Sequence, residues 1–357
     1  MRSKKALIWL VGIAVVGVTV LAGCFVQKAE AQSAPVQTVP QTEDQSAAGL
    51  FRCALPYYRA EAQGDMPPVA GERPVVYMTT NITPAGLMAV YEALGLQARG
   101  KVAVKIHTGE PGNTHFLSPN LIRDLVQRVN GTIVECNTVP GSRRAAAAAH
   151  YQVAQDHGFT AIAPVVIMDE RSEISIPVSG GKHLRENFVG ARFSEFDSHV
   201  VLSHFKGHPM GGFGGALKNI SIGYASSGGK SWIHSAGKTK NTGWRSNDQN
   251  AFLESMAEAA KSVIDQTQGN ILYINVMNHL SVDCDCLSRP AAPTMADIGI
   301  LGSLDPVALD QACVDLVFAA QDGRDIVRRI EGRNGLLILE HAQRIGIGNR
   351  TYDLRRL

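Results

Sequence analysis

From Arg73 onward, short runs of β-branched and other apolar residues alternate with longer stretches whose apolar positions recur at helical spacing. Pro74–Met78 reads as a buried strand, and Thr83–Leu94 as an amphipathic helix with Thr83 at its N-cap. Lys101–Ile106 and Thr132–Glu135 read as further strands, separated by a helix over Pro119–Val129 that opens on proline. Arg143–His157 reads as a helix stopped by Gly158. Strands follow at 162–168 and 198–203, then a helix at 250–266, a strand at 271–276 and a helix at 306–319. This alternation predicts an α/β fold, a largely parallel sheet with helices on both faces, built as one domain or as two α/β lobes meeting near 175–195.

In open sheets of this kind ligands sit beyond the carboxyl ends of the strands. The residues found there are polar, and two segments stand out. Within His204–Asn219, Gly211, Gly212, Gly214 and Gly215 let backbone N–H groups approach an anion closely. A helix expected to follow would add a positive dipole end. Lys206, Lys218 and Asn219 would hold a carboxylate or phosphate there, and His107 or His208 would act as general acid or base. The second segment is Asp283-Cys284-Asp285-Cys286, whose two thiols, with His279 and His204, are candidate ligands for a soft or borderline metal. A pair of reduced thiols, or a disulfide between Cys284 and Cys286, is the competing reading. Lys105 and His107 end one strand, where only one of them is expected to face a site. Asp305 is expected to cap a helix, with Asp310 one turn on.

Composition changes the picture mainly at the N-terminus. The formal charge is +2, but residues 1–23 carry Arg2, Lys4 and Lys5 and no acid, so without them 31 basic residues face 32 acidic ones. A near-neutral chain lacks the basic face that nucleic acid requires, and that partner is excluded. Ala6–Gly23 is uncharged and ends in Leu21-Ala22-Gly23-Cys24, similar to a bacterial lipobox. The expectation is a signal peptide over 1–23, a lipid on Cys24, a flexible tether over 24–72, and a folded domain over 73–357 held outside the cytoplasm at a membrane.

His204–Asn219, the Cys284-Asp285-Cys286 element, Asp297–Leu301, Asp305–Asp310 and His341–Gly348 together resemble the uncharacterised iron–sulfur-centre protein family, domain of unknown function 362. Many of its members carry a ferredoxin-type insert with repeated C-x-x-C-x-x-C. Here no cysteine lies between His234 and Asn278. A ferredoxin-type cluster is therefore not expected, since two thiolates cannot hold one without other ligands. His208–Lys218 also resembles, over that segment alone, the glycine-rich segment of lactate racemases, which use a nickel pincer nucleotide; the likeness implies a metal near His208 and an anionic group near Lys218. Three readings follow: an exported, lipid-anchored metal-binding protein with a redox role, its metal iron, zinc or nickel; an enzyme acting on a small anionic substrate; and a non-catalytic small-molecule-binding lipoprotein.

Overall fold

The computed structural model describes residues 73–241 and 248–357, which fall in one compact unit. The expected signal peptide over 1–23, the expected lipidation at Cys24 and the expected tether over 24–72 lie outside the described residues. In chain order the elements are β1 (Val75–Thr79), α1 (Pro84–Ala93), β2 (Val102–Lys105), α2 (Pro119–Arg128), β3 (Thr132–Glu135), α3 (Ala147–Asp156), β4 (Val165–Ile167), β5 (Glu173–Pro177), β6 (Glu186–Gly190), β7 (Ser198–His204), β8 (Lys206–His208), β9 (Gly212–Gly214), α4 (Ala216–Ser221), α5 (Ser227–His234), α6 (Gln249–Thr267), β10 (Ile271–Met277), β11 (Gly299–Ser303), α7 (Pro306–Ala319), α8 (Arg324–Glu331), α9 (Leu337–Arg344) and β12 (Asp353–Arg356).

Eight strands form one sheet in the order β12-β1-β11-β10-β7-β2-β3-β4. All neighbours are parallel except β11, which runs antiparallel to both β1 and β10. The central strands are buried on both sides, as their unbroken apolar runs require. In β7, Val200 and Leu202 face the core under α1 and α2, while Val201 faces the core under α4, α6 and α7. β10 alternates in the same way, with Leu272 and Ile274 on one side and Tyr273 on the other. The α/β sheet with helices on both faces is as the pattern predicts. The stretch near 175–195 is a hairpin of β5 and β6. Strands from before and after it are interleaved in the sheet, β7 lying against β2, so the chain does not divide into lobes there.

Thr83 caps α1 as expected, its hydroxyl accepting from Gly86 N at 3.2 Å. Asp305 caps α7, accepting from Val307 and Ala308 N at 2.8 and 2.9 Å. Among the described residues no helix is long and apolar enough to cross a membrane.

Candidate functional site

β2, β3 and β7 end side by side, and the loops that follow them enclose a cavity of about 410 Å³. Both Lys105 and His107 line it, because residues two apart along a strand share a face. Lys105 Nζ donates to Glu135 Oε2 at 3.1 Å, Asn219 Oδ1 at 3.0 Å and the Ile106 carbonyl at 2.5 Å. Arg144 is buried beside it and spans three partners. Its Nε donates to Glu110 at 2.9 Å, Nη1 to Glu135 at 3.1 Å and Nη2 to His107 Nε2 at 2.9 Å. Burial alone would raise the Glu135 carboxyl, but Lys105, a His150 hydrogen bond, His107 and Arg144 hold it well below the usual carboxylate range. His107 fares differently. Its Nδ1 faces the Gly109 N–H at 3.0 Å and its Nε2 faces Arg144, so neither nitrogen is open to a substrate. Burial, then Arg144, push its pKa well down, and the ring stays neutral. The geometry does not fit the acid–base role expected of it.

The glycine-rich segment folds as the β8–β9 hairpin leading into α4. Its backbone donors are taken by the protein itself. Asp310 of α7 accepts from Ala216 N at 2.7 Å and Leu217 N at 2.9 Å, so the amino end of α4 already holds a carboxylate. A Cβ at Gly215 would stand 2.3 Å from Asp310 Oδ1, which explains the glycine there. Gly212, at φ +82°, lets the hairpin touch Gly335, 2.9 Å from where a Cβ would stand. Gly211 and Gly212 thus lie outside the cavity lining, while Gly214 and Gly215 are in it. His208 Nδ1 accepts from Met210 N at 3.2 Å and Gly211 N at 2.8 Å. The ring proton therefore sits on Nε2, and burial followed by Lys218 keeps the ring neutral. His208 is a fixed N–H donor rather than a general base. Asn219 ties β7 to Lys105, donating to Ser203 Oγ at 3.0 Å and the Leu202 carbonyl at 3.2 Å. Lys218 lines the cavity, and its ammonium makes no hydrogen bond or ion pair among the described residues. Burial, with Lys105, Lys230 and Arg144 nearby, lowers its pKa to about 8.

Cys284 and Cys286 are joined as a disulfide on the cavity wall. Their sulfurs and a ring nitrogen of His208 lie within 4.8 Å of one another. Asp285, between them, turns its carboxylate to Lys206 Nζ at 2.8 Å and His204 Nδ1 at 2.8 Å. Lys206 is fully buried in that ion pair and in a bond to the His115 carbonyl, so it is absent from the cavity and cannot hold an anion there. His204 reaches the cavity, but its Nε2 is bonded to the Asn278 carbonyl at 2.8 Å, leaving neither nitrogen for a metal. His279 is exposed and outside both the cavity and the Cys–His group. The structure thus gathers His107, His204, His208, Gly214, Gly215, Lys218, Asn219, Cys284 and Cys286 around one cavity, and leaves Lys206, Gly211, Gly212 and His279 out. Glu110, in the polar segment that follows β2, completes the wall together with Arg144 and Glu135, which the sequence did not mark as site residues. Arg144 sits in an alanine-rich run that reads as plain helix, and its role depends on partners far along the chain.

These features define an α/β protein with a cavity at the strand carboxyl ends, bordered by several charged side chains. Residues 102–315 match the family described as a domain of unknown function (DUF362), and the chain belongs to that family. No curated relative matches the sequence. Among solved structures, the lactate racemase apoprotein from Thermoanaerobacterium thermosaccharolyticum is similar at 15% identity and a TM-score of 0.43, over 68% of this chain and 56% of that one. A protein from Thermotoga maritima is similar at 14% identity and a TM-score of 0.36, over 73% and 58%. The chain spans a little over half the length of either, and likeness at this level says nothing of activity.

Proposed function

We propose that the cavity binds a small carboxylate or phosphorylated compound, with the Lys218 ammonium as its charge anchor and the His208 Nε2–H as a fixed donor. One observation carries this reading. Lys105 and Arg144 are each matched by carboxylates, whereas Lys218 is a cavity-facing cation with no partner among the described residues. A half-buried ammonium left so is costly unless a ligand completes it. Neither His107 nor His208 offers an open lone pair, so these residues support binding rather than histidine acid–base turnover. Calorimetric titration with inorganic phosphate, acetate and citrate tests the reading. At least one should bind wild type and lose affinity in Lys218→Met; if none binds or raises the melting temperature, the reading fails.

A metal at the cysteines is the second reading, favoured by the proximity of His208 to both sulfurs. Bridged sulfurs and a protonated Nε2 do not make a donor set, so the bridge would have to open and the imidazole change tautomer first. Elemental analysis of protein purified after export under reducing conditions decides it: unchanged metal content on serine substitution of both cysteines excludes the site. From the N-terminal pattern we further propose export and lipidation at Cys24. Labelling with a radioactive fatty acid should be lost in Cys24→Ser.

A further inference from the structure

We propose that Cys284 and Cys286 are a redox couple, cycling between the bridge and a dithiol by exchange with a small thiol or dithiol that enters the cavity. This goes beyond the anion reading and does not rest on it. A bridge between residues two apart closes almost no loop, so it restrains the unfolded chain very little and is a poor structural staple. It lines a solvent-reachable cavity instead of sitting in the core, and Cys286 is the more exposed of the two. The loop carrying it is pinned independently of the sulfurs. Asp285 is held by Lys206 and His204, and the Leu287 carbonyl accepts from Asn113 Nδ2 at 3.1 Å. The backbone can therefore keep its place while the bridge opens. Donors also wait for a released thiolate. Cys286 N–H already points at Cys284 Sγ at 3.3 Å, and His208 lies within reach with its proton on the outward nitrogen. Cys136 and Cys313 are unbridged and buried, with their thiols pushed up by burial, Cys136 to about 12, although Cys136 also borders the cavity.

The exchange balances without any further reactant. A thiolate of the incoming compound attacks Sγ of Cys286, forming a mixed disulfide and releasing Cys284 as thiolate, which takes the Cys286 N–H bond. A second thiolate attacks the incoming compound's sulfur in that mixed disulfide, releases Cys286 and leaves with its partner as a new disulfide. Two electrons and two protons reach the protein, and two thiols become one disulfide.

The test equilibrates the folded chain, with a chelator present, across ratios of reduced to oxidised glutathione, then traps thiols by alkylation for mass spectrometry. The expected result is a single reversible two-thiol transition at Cys284 and Cys286, with Cys136 and Cys313 unmodified and the melting temperature of Cys284→Ser/Cys286→Ser close to wild type. A bridge that opens only when the chain unfolds overturns the proposal. So does a pair that stays reduced in excess oxidised glutathione, or a double variant that loses most of its stability.

Discussion

Replacing Lys218 with methionine should make the protein more stable while removing its ligand. Methionine keeps most of the stem and deletes an ammonium that the folded chain leaves unpartnered. A pKa lowered from 10.5 to about 8 corresponds to at most about 3 kcal/mol of stability given up by the charged form at neutral pH. Part of that is screened, since the side chain is only partly buried, so a gain of about 1–3 kcal/mol is the expectation. The sign is checked through pH. Between about 8 and 10.5 the unfolded chain holds the lysine proton and the folded chain has lost it, so wild-type stability should rise with pH across that window. Lys218→Met should lack this rise. Urea unfolding from pH 7 to 10 reads the slope, and titration with phosphate reads the affinity, which should drop by about 10- to 100-fold with the charged hydrogen bond. A variant that is less stable than wild type and still takes the anion with unchanged affinity would refute the reasoning.

Asp310→Ala should cost about 2–4 kcal/mol in thermal or urea unfolding, because it orphans the Ala216 and Leu217 N–H groups and Asn275 Nδ2, all buried. Asp285→Asn should cost about 3–5 kcal/mol at neutral pH by leaving Lys206 buried without its carboxylate. Burial opposes ionisation of Asp285, yet His204 and Lys206 hold its pKa well below the usual range; its contribution is present above the unfolded carboxyl pKa and is lost as pH falls through the lower folded one, so acid unfolding should be shallower in the variant. Arg144→Met should destabilise by a similar amount, since Glu110 would lose its ion pair and Glu135 would keep only Lys105 as a cationic partner, and circular dichroism melts would show it.

What the sequence disclosed follows how local each signal is. β7 and β10 were legible because a strand buried on both faces carries consecutive apolar residues, here Val200–Leu202 and Ile271–Ile274, and α1 because its cap lies within three residues of its partner. β11 went unread: Gly299 and Gly302 interrupt its pattern, and they are there because Thr79 and Val90 press against it from elements far earlier in the chain. α3 begins at Ala147, not Arg143, since Arg144 is drawn from the helix into the cavity by Glu110 and Glu135. Of Gly211, Gly212, Gly214 and Gly215 only the last two border the cavity, and the carboxylate at the start of α4 is a residue of the chain, Asp310, which nothing near the glycine-rich segment announces. His204 and Lys206 look as reactive on paper as His208 and Lys218. Only the tertiary contact with Asp285 sets His204 and Lys206, whose polar atoms it holds, apart from His208 and Lys218.

Among the described residues β1 has its sheet neighbours in β11 and β12, so Met78 pairs with Leu301 on one side and Arg356 on the other. β1 therefore has no such partner until β11, far along the chain, is available. Long sequence separations of this kind slow folding, because a large loop must close before any pairing rewards it. The slow step in refolding should therefore be the docking of β1 between β11 and β12, after the β2–β3–β4 and β7–β10 pairs have formed. A ribosome-bound nascent chain stopped before Gly299 would still carry β1 as an open, protease-sensitive segment.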